Sequence, residues 1–290
     1  MFILKSTLKT TVSKSCVAAA FLMGLIASPA IAAEVEGQCV KQSPENIRCT
    51  VFPRTNAAVS GVAALIGTDE ANVTNRAQIE APETEVAWYF LVDAADTNRQ
   101  AAINASVSTI DTLVSLAQPK HVFGLGEFTS DLVSLVPGPA SADDIQQELG
   151  QITPKDTPAQ LFTSIKSALD VLSAYPQKRR VLVIFSDGEP EFQTFTIENV
   201  IKDAIDSGVM LAPIGLPSVD DDEKHFSNLE KLAEETGGAF LQAQTGSFAI
   251  DPAELGKFYM SFMNQVEIDM EPLAEAPNDV AELYLMLSGG

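Results

Sequence analysis

Two uninterrupted apolar runs, Val86-Ala87-Trp88-Tyr89-Phe90-Leu91-Val92 and Val181-Leu182-Val183-Ile184-Phe185, constrain the fold of this 290-residue chain more than any other feature. A strand with one wet face alternates polar and apolar residues, so a run without alternation has to be covered on both faces. The first run ends in Asp93 and the second in Ser186-Asp187-Gly188. Helical periodicity fills the stretches around them. Over Arg99–Ala117, residues Ile103, Val107, Ile110 and Val114 form one apolar stripe. Asp156-Thr157-Pro158 reads as a helix start with Pro in the first turn, and that helix is expected to reach about Ala174. Further helices are expected over Ile197–Ser207, stopped by Gly208, over Phe226–Glu235, stopped by Gly237-Gly238, and over Pro252–Phe262. Strands are expected at His121–Phe128, Leu132–Val136, Val209–Ile214 and Ala239–Leu241. The gap between the first two of these is too short for a crossover, so they form an antiparallel hairpin. The alternation predicts an α/β fold: a doubly wound, mainly parallel sheet with helices on both faces.

The flanks read differently. Residues 33–82 are a β-rich segment with strand patterns at Ile47–Phe52 and Val59–Ile66, then a polar stretch over Gly67–Asn75. The α/β domain occupies 83–265, and residues 266–290 carry a C-terminal β segment in which Val266–Met270 and Glu282–Leu287 look like a hairpin-like pair around a turn at Glu271–Pro277. Each flank alone has too few strands to bury a face, so the two are expected to pair, as one small β-sandwich. The rival is that each adds to the edge of the central domain.

Residues 1–32 have the character of a signal peptide: Lys5, Lys9 and Lys14, an apolar centre over Val17–Ile26, Ser28-Pro29, then the small-x-small Ala30-Ile31-Ala32. An uncleaved anchor is the alternative, and the only route to membrane contact. Cleavage implies an exported protein, periplasmic or extracellular. Losing the three lysines takes the formal charge from −21 to −24. So acidic a surface repels phosphate backbones and argues against nucleic-acid binding. After cleavage Cys39 and Cys49 remain, with Ser43-Pro44-Glu45-Asn46 between them as a turn. In an oxidising compartment they are expected to close a disulfide loop. With only His121 and His225, a His-rich zinc site has no material.

In parallel sheets ligands gather beyond the carboxyl ends of the strands, where Asp93 and Asp187 are both expected. Two carboxylates on one rim, with hydroxyls nearby, can hold a hard cation; either alone would more often cap a loop. Here the sequence resembles the von Willebrand factor A domain family over about residues 86–262. The resemblance is carried by Asp93-Ala94-Ala95-Asp96-Thr97, a Thr at a helix start, Gly124–Phe128, Phe185-Ser186-Asp187-Gly188 and a Glu234–Gly238 turn. It implies a Rossmann-like fold and a metal-ion-dependent adhesion site that captures a partner's carboxylate through Mg²⁺, with Mn²⁺ or Ca²⁺ as alternatives. Carried over, the ligands are Asp93, Thr97, Thr157 and Asp187, with Thr163 as the alternate to Thr157. Ala95 departs from the pattern by removing one hydroxyl. A weakened metal site and a purely structural loop both stay open.

The resemblance implies an exported, non-enzymatic adhesion module with an unidentified protein partner. The enzymatic rival is a phosphatase of the haloacid dehalogenase type, whose second motif Asp would fall at residue 95, where Ala stands. An adaptor for an AAA+ ATPase machine is a third reading, opposed by the leader. No G-x-S-x-G elbow supports a serine hydrolase. Asp220-Asp221-Asp222-Glu223 complements a helix dipole, and Glu189 and Glu191 are read as solvated loop residues. Asn72-Val73-Thr74 and Asn104-Ala105-Ser106 fit the glycosylation sequon, relevant in a eukaryotic secretory route.

Overall fold

A computed structural model of the chain describes residues 3–5, 35–43, 46–53, 59–66, 69–79, 84–177, 179–189, 194–217, 225–263, 265–272 and 281–287. The leader beyond Lys5, the Pro44-Glu45 turn, Glu191, the acidic run over 220–223 and the turn over 273–277 lie outside those residues. The chain divides into two compact units, one of residues 1–81 with 260–290 and one of residues 82–259.

The first unit holds an antiparallel sheet of β1 (Ile3–Lys5), β2 (Val35–Ser43), β3 (Asn46–Pro53), β4 (Val59–Ile66), β5 (Asp69–Ile79), β12 (Gln265–Pro272) and β13 (Ala281–Leu287). Their order is β1-β2-β3-β12-β5-β4-β13. β12 inserts between β3 and β5, while β13 pairs with β4 on the far edge. The expected hairpin-like pairing of β12 with β13 is therefore corrected. Each finds partners in the amino-terminal flank, and β12 is thereby hydrogen-bonded along both edges, which a two-strand hairpin would not give it: Gln265–Pro272 runs opposite Ile79–Ala71, with one register shift at Asp269/Met270. Strands from both flanks thus share a single sheet.

In the second unit the sheet order is β11-β10-β9-β6-β7-β8, from β6 (Val86–Asp93), β7 (His121–Phe128), β8 (Leu132–Ala140), β9 (Arg179–Ser186), β10 (Val209–Gly215) and β11 (Leu241–Gln242). All pairs are parallel except β7 with β8. This is the doubly wound α/β architecture that the apolar runs require. β6 is buried at every position, as a central strand must be. Its alternate residues serve two layers. Ala87, Tyr89 and Leu91 join one core with residues of α3 (Leu161–Ser173), α4 (Ile197–Ser207) and α5 (Phe226–Thr236). On the opposite face Trp88 stacks on Tyr259 of α6 (Pro252–Ser261), centroids 5.6 Å apart. The strand β8 tolerates Pro137 and Pro139 because it is the sheet's edge, where missing amide donors cost little.

Two helices differ from expectation. Asp156-Thr157-Pro158 does not start α3, which begins at Leu161. The backbone just before it is drawn into other bonds: the Lys155 amide donates to the Ala94 carbonyl at 2.8 Å and the Gln160 amide to the Thr129 carbonyl at 2.8 Å. Tertiary pairing wins over a local start signal here. α2 (Ala142–Glu148), unforeseen, is a short helix opened by a Ser141/Asp144 capping box. α1 (Gln100–Ser115) follows a 3-10 turn at Thr97–Arg99, close to the expected span. Among the described residues no helix is long and apolar enough to cross a membrane.

Candidate functional site

β6 is the first strand of its sheet. The chain leaves it through α1 to β7 on one side and later returns to β9 on the other. The gap between β6 and β9 is therefore a topological switch point, where a crevice opens beyond the carboxyl ends. Asp93 is the last residue of β6, and Asp187 follows the last residue of β9. Parallel pairing sets Val92 opposite Phe185, so the next residues, Asp93 and Ser186, meet at the rim.

Their side chains form one buried network. Ser186 Oγ donates to Asp93 Oδ2 at 3.0 Å, and the Ala95 amide donates to Asp93 Oδ1 at 3.1 Å. The Gly188 amide donates to Ser186 Oγ at 3.1 Å, and the Glu189 amide to Asp187 Oδ1 at 3.0 Å. Arg99 completes it. Its Nη1 donates to Asp187 Oδ2 and lies 3.6 Å from Asp93 Oδ2. The side chains of Asp93, Arg99 and Asp187 are only 2%, 12% and 13% exposed, so this guanidinium neutralises carboxylates that water screens poorly.

A tight loop aims Arg99 at the carboxylates. Asp96 adopts φ 70°, a region few non-glycine residues visit, and its carboxylate accepts the Asn98 amide at 2.8 Å. The 3-10 turn that follows ends at Arg99. Burial pushes the Asp93 carboxyl up to about 6; the Arg99 charge opposes that rise and the Asp187 charge adds to it.

Of the four residues expected as metal ligands, the structure brings Asp93 and Asp187 together through Arg99. Thr97 is exposed within the 3-10 turn. Thr157 is exposed on a loop that approaches the site through an Ala95–Lys155 bridge, while the Lys155 ammonium pairs with the buried Glu127 carboxylate. Neither threonine shows a hydrogen bond to Asp93 or Asp187 among the described residues. The alternate, Thr163, donates to Gln160 Oε1 at 3.1 Å within the first turn of α3. Ala95 presents a buried methyl group where a hydroxyl would be needed. The donors at the rim thus amount to two carboxylates already holding a guanidinium and one serine hydroxyl already bonded to Asp93. This set does not fit a hard divalent ion, which gathers about six oxygens. Among the described residues, no three His, Cys, Asp or Glu side chains cluster as a metal site.

Arg99 and Ser186 are the site residues that the sequence reading missed. A usable signal existed for the first: a lone cation six positions after the strand-end carboxylate, in a loop whose only other charge is Asp96. His121 sits at the opposite end of the sheet, its Nδ1 accepting from the Trp88 indole at 3.4 Å and the Gln118 amide at 3.3 Å. Burial, helped by the Arg179 charge, lowers it to about 4, so it is a neutral core residue.

The von Willebrand factor type A domain family matches residues 89–251, more than half of the chain. No curated protein sequence is significantly similar to it. Among solved structures, a von Willebrand factor type A protein from Catenulispora acidiphila superposes with TM-score 0.51 at 10% identity, covering 91% of this chain and 72% of that one. Proximal thread matrix protein 1 from the mussel byssus, with a zinc-occupied metal-ion-dependent adhesion motif, superposes with TM-score 0.50 at 15% identity, covering 66% of this chain and 49% of that one. At such identities these likenesses bear on the fold.

Proposed function

Because the chain belongs to the von Willebrand factor type A domain family, we propose that it is an exported, non-catalytic protein-binding module whose partner docks at the rim between β6 and β9. The switch-point rim carries this reading: a rigid, buried ionic cluster ringed by exposed loop residues Asp96, Thr97, Asn98 and Thr157. Loops held on a stiff sheet are where proteins place recognition residues. The cluster is poorly suited to turnover. Both oxygens of Asp93 accept hydrogen bonds, from Ala95 and Ser186, and its carboxylate is only 2% exposed, which hinders approach of a substrate to it. Ala95 also removes the second aspartate that a phosphatase of the haloacid dehalogenase type would need as general acid.

In the metal-bridged form of this reading, Mg²⁺ on Asp93, Thr97, Thr157 and Asp187 would take a partner carboxylate, as the zinc-bearing adhesion motif of the mussel protein invites by analogy. The donor set at the rim speaks against that form and for direct docking on protein atoms.

The docking site is tested with a photo-crosslinking residue placed at Thr97, at Thr157, or at Ser173, which is exposed at the far end of α3, in the full chain expressed in its native host. Crosslinked partner is expected from 97 and 157. Crosslinks from 173 alone would overturn the assignment.

Export carries its own expectation. Protein recovered from the envelope or medium should lack residues 1–32, and with them the three-residue edge strand β1, which leaves β2 as the sheet's edge. Cys39 and Cys49 should be oxidised, since they stand directly opposite in the β2–β3 register at a spacing that a disulfide can bridge. Intact mass would show a cleaved species two hydrogens lighter than the dithiol. An uncleaved chain with both thiols free to alkylation would refute both points.

A further inference from the structure

We infer that Arg99 is the resident cation of this site, held where the family pattern calls for a metal, and that recognition at this rim proceeds without a divalent ion. The second half rests on the proposed docking surface; the first does not.

The carboxylates that a metal would need are the ones that Arg99 holds, through Nη1 to Asp187 and at 3.6 Å from Asp93. Among the described residues, Asp187 is its one hydrogen-bond acceptor, and Nε and Nη2 are buried without a partner. Those residues offer the guanidinium no second seat. A metal that took the carboxylates would leave a buried cation that cannot lose its proton, without an acceptor among the described residues, and an orphaned buried charge is among the costliest defects in a protein. Charge balance points the same way. One guanidinium between two carboxylates leaves one net negative charge, whereas a dication added beside it would meet a fixed positive neighbour.

Three of the four carboxylate oxygens also accept hydrogen bonds from neighbouring groups. Asp93 accepts from Ala95 and Ser186, and Asp187 from Glu189. The hydroxyls that could complete a coordination shell are absent at Ala95 and turned to other surroundings at Thr97 and Thr157, both of which are exposed. The loop geometry is specific to this arrangement: the positive φ of Asp96 and the 3-10 turn that ends at Arg99 return the chain so that a long basic side chain reaches under the rim.

Titration of the full chain with Mn²⁺ and Mg²⁺, read by calorimetry and by the electron paramagnetic signal of free Mn²⁺, decides the first half. The wild type is expected to show no saturable site up to on the order of 1 mM ion. Arg99→Ala should gain Mn²⁺ affinity by about tenfold or more, and Asp187→Asn added to it should abolish the gain. Should Arg99→Ala fail to fold, Arg99→Gln, which keeps length and hydrogen-bonding capacity, takes its place. A saturable wild-type site lost in Asp187→Asn would overturn the inference, and so would a variant at Arg99 that gains nothing. The second half is read from crosslinking at the exposed Asn98, which is not one of the four ligand positions, with and without chelator: an unchanged yield is expected, and loss of the crosslink in chelator would overturn it. Absence of any rim crosslink would remove the docking surface while leaving the titration result to stand.

Discussion

Arg99→Met is expected to destabilise the 82–259 unit by about 3–5 kcal/mol at pH 7, the usual cost of deleting one partner from a buried ionic cluster. At this size that is roughly 10 °C in Tm. The side chain lost is close in length, so little packing volume changes; what disappears is the one positive charge, among the described residues, that pairs with Asp93 and Asp187. The effect should depend on pH, and its sign follows from the raised Asp93 carboxyl. Its ordinary value is 3.8 and the fold lifts it to about 6, mainly through burial. A carboxyl that titrates higher in the folded chain favours folding most below the lower value, and the benefit is lost as pH rises toward the higher one. Without Arg99 the lift is greater and the loss on going to neutral pH is deeper. The gap between wild type and variant should therefore be widest at pH 7 and narrow near pH 4, where Asp93 is protonated in both. Asp93→Asn imitates the protonated carboxyl and should cost much less than Arg99→Met at pH 7. Urea unfolding at the two pH values checks this; an equal gap at both, or no gap at pH 7, would contradict the account of the cluster.

Gly238→Ala is expected to cost about 3 kcal/mol or more, at the upper end of overpacking penalties. A β-carbon there would stand 1.6 Å from the Leu211 carbonyl oxygen and 2.5 Å from its carbon. Those are backbone atoms of β10, whose Leu211 is paired with Leu182 of β9 on one side and has its amide bonded to Thr236. The turn is already stapled to that strand: Thr236 Oγ1 accepts the Leu211 amide at 2.9 Å and donates to the Leu232 carbonyl at 2.7 Å. The neighbouring Gly237 has a different task, ending α5 at φ 79°, and Gly237→Ala should cost only about 1 kcal/mol. Thermal unfolding of the pair would show a several-fold larger loss for Gly238→Ala. Equal losses would mean that both glycines serve only as a helix stop.

That pair shows how far local sequence reaches. Gly237-Gly238 after an amphipathic stretch announces a helix end, and the helix does end there. Nothing in the dipeptide reveals that the second glycine lies against a strand more than twenty positions earlier. The start of α3 teaches the same lesson. Asp156-Thr157-Pro158 has the chemistry of a helix start, yet long-range pairing of Lys155 with Ala94 and of Gln160 with Thr129 keeps that backbone out of a helix. The two β12 and β13 segments read as a hairpin because they are neighbours in sequence, while the sheet assigns them partners some two hundred positions away.

The α/β layering, the central position of the β6 and β9 runs, and the presence of Asp93 and Asp187 at their carboxyl ends can all be read from the residue order alone. These follow from burial and periodicity, which are local properties of a chain in water. What lies between those two carboxylates emerges from the folded arrangement. Whether a pair of acidic groups gathers a metal or a side chain depends on which donors converge within a few ångströms, and convergence is set by loop geometry: the positive φ of Asp96 and the turn after it deliver Arg99 to the rim, where a threonine hydroxyl was expected.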